Sequence, residues 1–451
     1  RALARCGSMV SQEVVRVTEP GGFDFEELRK LMQRMGLMGA DGELDLDALM
    51  RRMQQQGPAF FGMTGADSDP DAAWLTTVTA AKQAVTEDAP DPEILPDEQA
   101  ACVDAERLAQ SWLDEVTTFR APGVPARTVT RTQWLDGTSA GWRAIVEPII
   151  EGLADALQRS SAEGVPEMEG LDLGAMMGPM LRQSASVMYR QRLRRELARV
   201  ACDTLTGTEI GFNLFEGNEV VVVPTNIAHF TRDLDADESD MMLVLLLREA
   251  ARQRLFADVG WLSPQLLALM SHYAREITID VDAIAQRLSP EQMEGMSLEE
   301  LTRISEEVQV SFFRPASTET QLEILERLGV LLALVEGWVD HVTNRAMEKW
   351  MPHAPQLPEV LRRRRAAEGP VRSVLRSLIG LDLSPRLVRD ADNLWAAVEH
   401  ARGLEGRDQV WSHPDLVPTA KDLADPLAFV ERRGEPPTDE MDDELRRLLD
   451  E

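Results

Sequence analysis

The chain has 451 residues, of which 44% are hydrophobic, and 77 acidic against 47 basic side chains give a formal net charge of −30. This charge argues against general nucleic-acid binding and against docking on anionic lipid, because both need positive surface. No apolar run approaches the roughly 18 residues that span a bilayer, and the N-terminal stretch lacks the apolar core of a secretory signal. Three widely spaced cysteines do not suggest a disulfide framework. We expect a soluble cytoplasmic protein.

The N-terminal part is predicted to be helical. We assign residues 1–20 to an N-terminal extension and residues 21–160 to a helical region. Two methionine-rich helices should begin near Asp24 and Asp45, since apolar residues recur there at helical spacing. A third helix precedes an acidic, proline-containing loop at residues 87–96.

The next predicted helix, residues 103–116, has an apolar stripe through Leu108 and Trp112. We expect this stripe to pack on a second helix at residues 142–157. Pro148 lies inside that second helix and should bend it, because proline removes one backbone hydrogen bond.

The middle of the chain changes from helical to strand character. Residues 161–206 are assigned as a connecting helical segment that starts with a flexible, Gly- and Met-rich stretch at 164–178. Strands are predicted within 208–223, with a hairpin turn at 216–218. The valine run 220–223, which ends at a proline, is the clearest strand.

The C-terminal part is predicted to hold the core of the fold, residues 207–430, followed by an acidic tail at 431–451. Its helices are expected at residues 241–256, 264–277 and 321–349. Residues 280–308 are acidic and should face solvent. The fold class that follows is mainly α with a small β-sheet, an α+β arrangement.

The run Arg248-Glu249-Ala250-Ala251-Arg252 has the most direct chemical meaning. It lies in a strongly helix-forming segment, where positions i and i+4 share one face. In zinc peptidases the pattern H-E-x-x-H uses this spacing to aim two imidazoles at one metal, with the glutamate as general base. Arginine keeps its proton and offers no lone pair to a metal. The run therefore indicates a peptidase scaffold and argues against peptidase chemistry.

Glu336 lies in an apolar stretch of a later helix, where an unpaired carboxylate is costly, and forms an E-x-x-x-D pattern with Asp340. Three arrangements are open for these side chains. Arg248 and Arg252 can hold Glu249, Glu336 and Asp340 in a buried ionic network, which we favour. Alternatively the two arginines extend to solvent, or a metal is bound through other ligands.

Histidine ligands are not evident, because no two histidines form a close pair on one helix. The histidines are His229, His272, His341, His353, His400 and His413. His341 follows Asp340 and can approach the centre, although a structural role is favoured. His413 belongs to a compact turn at 411–415, for which a packed corner is favoured. The basic block 362–365 is expected to balance the acidic surface; the alternative is binding of an acidic segment.

Short motifs are distributed along nearly the whole chain. They are Arg131–Trp134, Val223–Asn226, Leu247–Phe256, Leu331–Asp340, Arg362–Pro370, Gly406–Asp408 and Trp411–Leu416. In this order they resemble the bacterial zincin-like metallopeptidases, which are described as hydrolases or zinc-dependent metalloproteases. The sister group of that family is associated with deazaflavin cofactor biosynthesis.

The resemblance implies a helix-rich zincin-like fold. It places Arg248 and Arg252 on the two histidine ligand positions, Glu249 on the general base and Glu336 on the third ligand. Similar members often carry R-E-A-A-H, and this chain lacks the second histidine as well. Catalytic zinc takes three protein ligands, so we expect no metal cofactor and a pseudopeptidase that holds a protein or peptide segment in the former substrate cleft. The alternative is an active zinc-dependent hydrolase with a non-standard ligand set.

Overall fold

The computed structural model describes residues 69–164, 173–232, 234, 237–279, 318–367 and 370–432. The helices predicted near Asp24 and Asp45, the acidic stretch 280–308 and the tail beyond residue 432 lie outside these ranges. The domain boundaries drawn from the sequence stay predictions.

Helices make up most of the described residues. The first five are α1 (Pro70–Asp88), α2 (Pro96–Leu113), α3 (Arg131–Gly164), α4 (Leu173–Asp203) and α5 (Pro224–Thr231). The later ones are α6 (Glu238–Asp258), α7 (Leu262–Arg275), α8 (Glu319–Trp350), α9 (Leu357–Ala366), α10 (Pro370–Ile379), α11 (Pro385–Gln409), α12 (Ala420–Ala424) and α13 (Pro426–Glu431). The mainly helical fold class with a small sheet is confirmed.

The sheet is small, and its pairing differs from the predicted hairpin. Strand β2 (Val221–Val222) pairs in parallel with β1 (Arg127–Thr128). Thr206 pairs with Val222 in antiparallel fashion. Residues 208–219 form no strand, and two glycines with φ of 85° and 81° interrupt this segment. Strand β1 was not predicted because two residues are too few to show alternation.

Helix α2 corrects two predictions about the N-terminal part. It begins at Pro96, earlier than predicted, and its N-terminus is closed by Glu98, whose carboxylate accepts the Leu95 N–H at 2.8 Å. Trp112 is buried as expected, but Leu108 is 44% exposed. The main neighbour of α2 is α6 and not the predicted helix at 142–157, because the buried face of α2 is rotated away from Leu108.

Helix α3 begins with a capping box. The Thr130 hydroxyl accepts the Gln133 N–H at 3.2 Å, and the Gln133 side chain accepts the Thr130 N–H at 3.0 Å. The helix continues through Pro148 and packs against α4. Residues 173–178 are already helical, so the predicted flexible connection is wrong for this part; residues 165–172 lie outside the described ranges.

Helices α6 and α8 form the centre of the described structure. Residues 244–256 of α6 and residues 328–343 of α8 are buried without interruption. A helix that is buried on every side has no solvent face, so charged groups on these segments need partners inside the protein. Within the described ranges, no helix combines the length and apolar character needed to cross a bilayer.

Candidate functional site

Helix α6 carries Arg248, Glu249 and Arg252 into the protein core. Asp237 caps the N-terminus of this helix, since its carboxylate accepts two backbone N–H groups of the first turn at 2.8 and 3.3 Å. The exposed fraction is 7% for Arg248, 3% for Arg252 and 0% for Glu249. The arrangement in which both arginines extend to solvent is therefore wrong.

Helix α8 presents two carboxylates to these arginines. Glu336 and Asp340 lie one helical turn apart, and each is 4% exposed. The Arg252 guanidinium binds Glu336 in a bidentate manner, with Nε donating to Oε1 at 2.7 Å and Nη2 to Oε2 at 3.1 Å. Arg248 donates through Nη1 to Asp340 at 2.5 Å and through Nη2 to Glu336 at 3.2 Å. The predicted buried ionic network is present.

A third cation, Arg365, completes the network from helix α9. Its Nη1 donates to Glu336 Oε2 at 3.1 Å, and its Nη2 donates to Asp340 Oδ2. The expectation that the basic block only balances surface charge is wrong for this residue. The sequence alone does not distinguish Arg365 from the other arginines of the block, which point elsewhere in the structure. Arg363, for example, is 79% exposed at its side chain.

Glu249, at the general-base position, is held by several donors. Its carboxylate accepts the Thr208 N–H at 3.1 Å and the Thr208 hydroxyl at 2.8 Å. Arg252 Nη1 donates at 3.1 Å and Gln253 Nε2 at 3.3 Å. Gly207 leaves room for this contact, because a Cβ there would lie 3.1 Å from Glu249 Oε1. Thr208 was not singled out by sequence reasoning, since its segment was predicted as strand.

Burial and charge act in opposite directions on these carboxyl groups. Burial alone would raise the pKa of Glu336, but the surrounding guanidinium groups outweigh it and lower the pKa. At Asp340 burial again acts to raise the pKa, but Arg248 and Arg365 outweigh it and hold the pKa well below its usual range. At Glu249 burial dominates and raises the pKa, despite Arg252. Glu336 and Asp340 are therefore ionised throughout the neutral range.

The predicted candidates His341 and His413 do not join the network. His341 Nε2 lies 2.6 Å from Glu399 Oε2, and its Nδ1 lies 3.8 Å from Asp392 Oδ1. His413 is exposed and its Nδ1 accepts the Asp415 N–H at 3.2 Å. Trp411 of the same turn is buried and stacks on Trp395, whereas residues 412–415 are exposed, so the corner is packed only at Trp411.

The side chains at the positions that the resemblance assigns to zinc ligands do not fit zinc. The two positions at i and i+4 of α6 hold guanidinium groups, which have no lone pair for a metal. Both groups donate to Glu336, the only carboxylate that the resemblance offers as a ligand. In the part of the chain that the structure describes, no group of three or more histidine, cysteine or acidic side chains is placed to hold a metal ion.

A cavity of about 520 Å³ adjoins the network. Glu336 and Asp340 line it, together with residues of α9, the first turns of α11 and the segment 209–211. Arg364 ties this segment to α9, because its Nε donates to Glu209 Oε1 at 3.1 Å. The cavity is thus held by ion pairs on two sides.

Two buried helices thus face each other, with Arg248, Glu249 and Arg252 on α6 and Glu336 and Asp340 on α8. The chain belongs to the zincin-like metallopeptidase family, whose model matches residues 73–430. A crystal structure from Chloroflexus aurantiacus, described as "a putative hydrolase with a novel fold", superposes with a TM-score of 0.54 at 18% identity. The match covers 79% of this chain and 97% of the other, and at this identity it shows the fold alone. No curated protein matched the chain.

Proposed function

We propose that this chain is a non-catalytic member of its family, a pseudopeptidase that binds a protein or peptide segment in the cleft beside the former metal site. The observation that carries the proposal is the bidentate pair between Arg252 and Glu336. It joins the second histidine position to the third ligand position, so each blocks the other from a metal.

The charges support the same conclusion. Zinc supplies two positive charges to a peptidase site, and here Arg248 and Arg252 supply two fixed ones. Guanidinium groups stay protonated at neutral pH and cannot activate water as a bound metal does. The cavity next to them remains large enough for part of a polypeptide, since ligand pockets commonly enclose about 300 to 1,000 Å³.

The burial of Glu249 is a further observation that supports a non-catalytic function. A general base must come within hydrogen-bond reach of the water or substrate that it deprotonates. The Glu249 side chain is fully buried, and its oxygens accept from Thr208, Arg252 and Gln253. It is engaged as an acceptor in the core and does not line the cavity.

The test combines metal content with activity. Protein purified without chelator and without a metal-affinity column should contain far less than one zinc per chain by plasma mass spectrometry. It should leave unfolded casein uncleaved, and Glu249→Gln should behave identically. Stoichiometric zinc, together with casein cleavage that Glu249→Gln abolishes, would establish the active zinc hydrolase with a non-standard ligand set and sink the proposal.

A further inference from the structure

The carboxylates at the floor of the cavity already have ion-pair partners. Glu336 and Asp340 form it, and both already bind guanidinium groups of Arg248, Arg252 and Arg365. A ligand that enters therefore meets no unpaired carboxylate at the bottom. A cationic ligand would gain nothing there, because its charge would have to displace an existing buried ion pair.

The walls of the cavity are apolar. They consist of Ile210, Leu332, Leu383, Pro385 and Val388. Such walls favour an aliphatic side chain, whose burial stabilises a complex in proportion to the apolar area removed from water. A leucine-sized side chain, together with the backbone next to it, is a suitable occupant of a cavity with these walls.

The rim of the cavity carries a positive excess. The charges there are Arg362, Arg363 and Arg389 against Glu359 and Asp392, an excess of one positive charge. The further lining carboxylate, Glu209, is paired with Arg364. Arg362 and Arg363 share Glu359, at 3.6 and 2.9 Å. Arg389 is exposed and forms no ion pair with any described residue. This excess stands out on a chain whose formal net charge is −30.

Helix α11 adds to the preference for negative charge. It begins at Pro385, so its N-terminal end lies at the cavity wall. The N-terminus of a helix carries a partial positive charge that favours anions within the first turn. Arg389 lies about one turn further along the same helix, so both contributions have the same sign at the rim.

From the apolar walls and the arginine rim we infer that the cavity binds an acidic polypeptide segment of a partner protein, with one aliphatic side chain in the cavity and flanking carboxylates on Arg362 and Arg389. This rests on the proposed function and names its partner class. Charge complementarity carries the choice, because the rim discriminates against the basic segments that an acidic protein would otherwise attract.

Fluorescence anisotropy with a labelled, blocked pentapeptide tests the inference on the full chain. The peptide has one leucine between two pairs of glutamates. Arg389→Gln should weaken its binding by about three- to fivefold, and Arg362→Gln with Arg389→Gln by about tenfold, as exposed charge pairs do. The matched control is Arg386→Gln on the same helix, because Arg386 is 84% exposed at its side chain and does not line the cavity. The Arg386→Gln variant should bind the pentapeptide as tightly as the parent protein does.

Peptide variants separate the two contributions. Alanine in place of the leucine should weaken binding about tenfold or more, because the aliphatic contact is lost. Glutamines in place of the glutamates should remove the effect of Arg389→Gln. Equal binding of the glutamate and glutamine peptides, or an equal loss in Arg386→Gln, would overturn the inference. Displacement by dodecanoate at lower concentration than by unlabelled peptide would assign the cavity to a fatty acid and overturn it as well.

The two proposals fail in distinguishable ways. Cleavage of the bound peptide, seen by mass spectrometry, would overturn the proposed non-catalytic function. Absence of binding, with the peptide intact and no zinc in the protein, would overturn only the assignment of an acidic partner.

Discussion

The Arg252 guanidinium lies edge to edge with the Glu336 carboxylate, with Nε 2.7 Å from Oε1 and Nη2 3.1 Å from Oε2. Such a bidentate pair is among the stronger polar contacts in proteins. It connects α6 and α8 at the positions that the resemblance to zincin-like metallopeptidases assigns to zinc ligands. Under the proposed function, this ion pair takes the place of a metal bridge between the two helices.

Loss of Glu336 should be strongly destabilising. Glu336→Ala leaves Arg252 buried without its bidentate partner and removes one acceptor each from Arg248 and Arg365. Breaking a buried pair from one side costs about 3 to 5 kcal/mol, which urea unfolding can measure. Glu323→Ala on the same helix is the control, because Glu323 is exposed. It should change the free energy of unfolding by less than about 0.5 kcal/mol. Equal stability of the two variants would contradict the network.

The sequence favoured the pairing of α6 with α8 over two alternatives. The periodicity of both helices is strong, and a carboxylate in an apolar run requires a partner. A network that joins Glu336 and Asp340 to Arg248 and Arg252 was therefore the favoured prediction. The bounds of α8, Glu319–Trp350, differ from the predicted 321–349 by only one or two residues.

The contacts of Arg365 and Thr208 were not predicted, because they depend on long-range geometry. Arg365 resembles its neighbours Arg363 and Arg364 in sequence, and only the rotation of α9 determines which one points inward. Thr208 contacts Glu249 from a segment that is positioned by pairing with β2, where Thr206 pairs with Val222 and the Gly207 N–H donates to the Val221 carbonyl. Periodicity does not encode such contacts, because they arise from tertiary packing.

The stability contributed by Asp340 should depend on pH. Its pKa is lowered in the folded protein, whereas an unfolded aspartate titrates near about pH 3.9. A lowered carboxyl pKa stabilises the fold fully above the unfolded pKa, and this stabilisation is lost as the pH falls toward the folded pKa. Asp340→Asn should therefore be less stable than the parent at pH 7, with a gap that narrows below about pH 4.

Urea unfolding between pH 7 and pH 3 measures this gap. Glu323→Gln serves as the control, since its difference from the parent should stay small at every pH. A gap for Asp340→Asn that remains constant down to pH 3 would mean that the contribution of Asp340 does not depend on its charge.

Histidines at positions 248 and 252 together should create a metal site. In the double variant Arg248→His with Arg252→His, two imidazoles at i and i+4 of α6 face Glu336, which completes the three protein ligands of a catalytic zinc site. Isothermal titration calorimetry should detect about one zinc per chain, and zinc should raise the Tm. The double variant keeps Arg365 on Glu336 through one contact of 3.1 Å. Each single variant keeps a second arginine there and supplies only one imidazole, so it should bind zinc much more weakly. Failure of the folded double variant to bind zinc would show that the two helices are not at metal-site spacing.

The contact between α8 and α11 offers a test that changes no charge. Gly337 follows Glu336 on α8, and a Cβ built on it would lie 2.6 Å from Ala391 Cβ and 2.7 Å from the Asp392 backbone nitrogen. Backbone cannot move aside as a flexible side chain does, so Gly337→Ala should force the helices apart. Overpacking of this kind costs about 1 to 3 kcal/mol.

Gly329 on the same helix is the matched control for Gly337. A Cβ there would meet only Leu381 Cδ1, at an ordinary 3.5 Å. Gly329→Ala should therefore stabilise the protein by up to about 1 kcal/mol, the difference in helix propensity between the two residues. Thermal unfolding should give Tm shifts of opposite sign for the two substitutions. Because the separation of α8 from α11 would also move the cavity wall at Val388, Gly337→Ala should weaken binding of the acidic pentapeptide, whereas Gly329→Ala should leave it unchanged. Shifts of the same sign would mean that α11 does not press against α8 at Gly337.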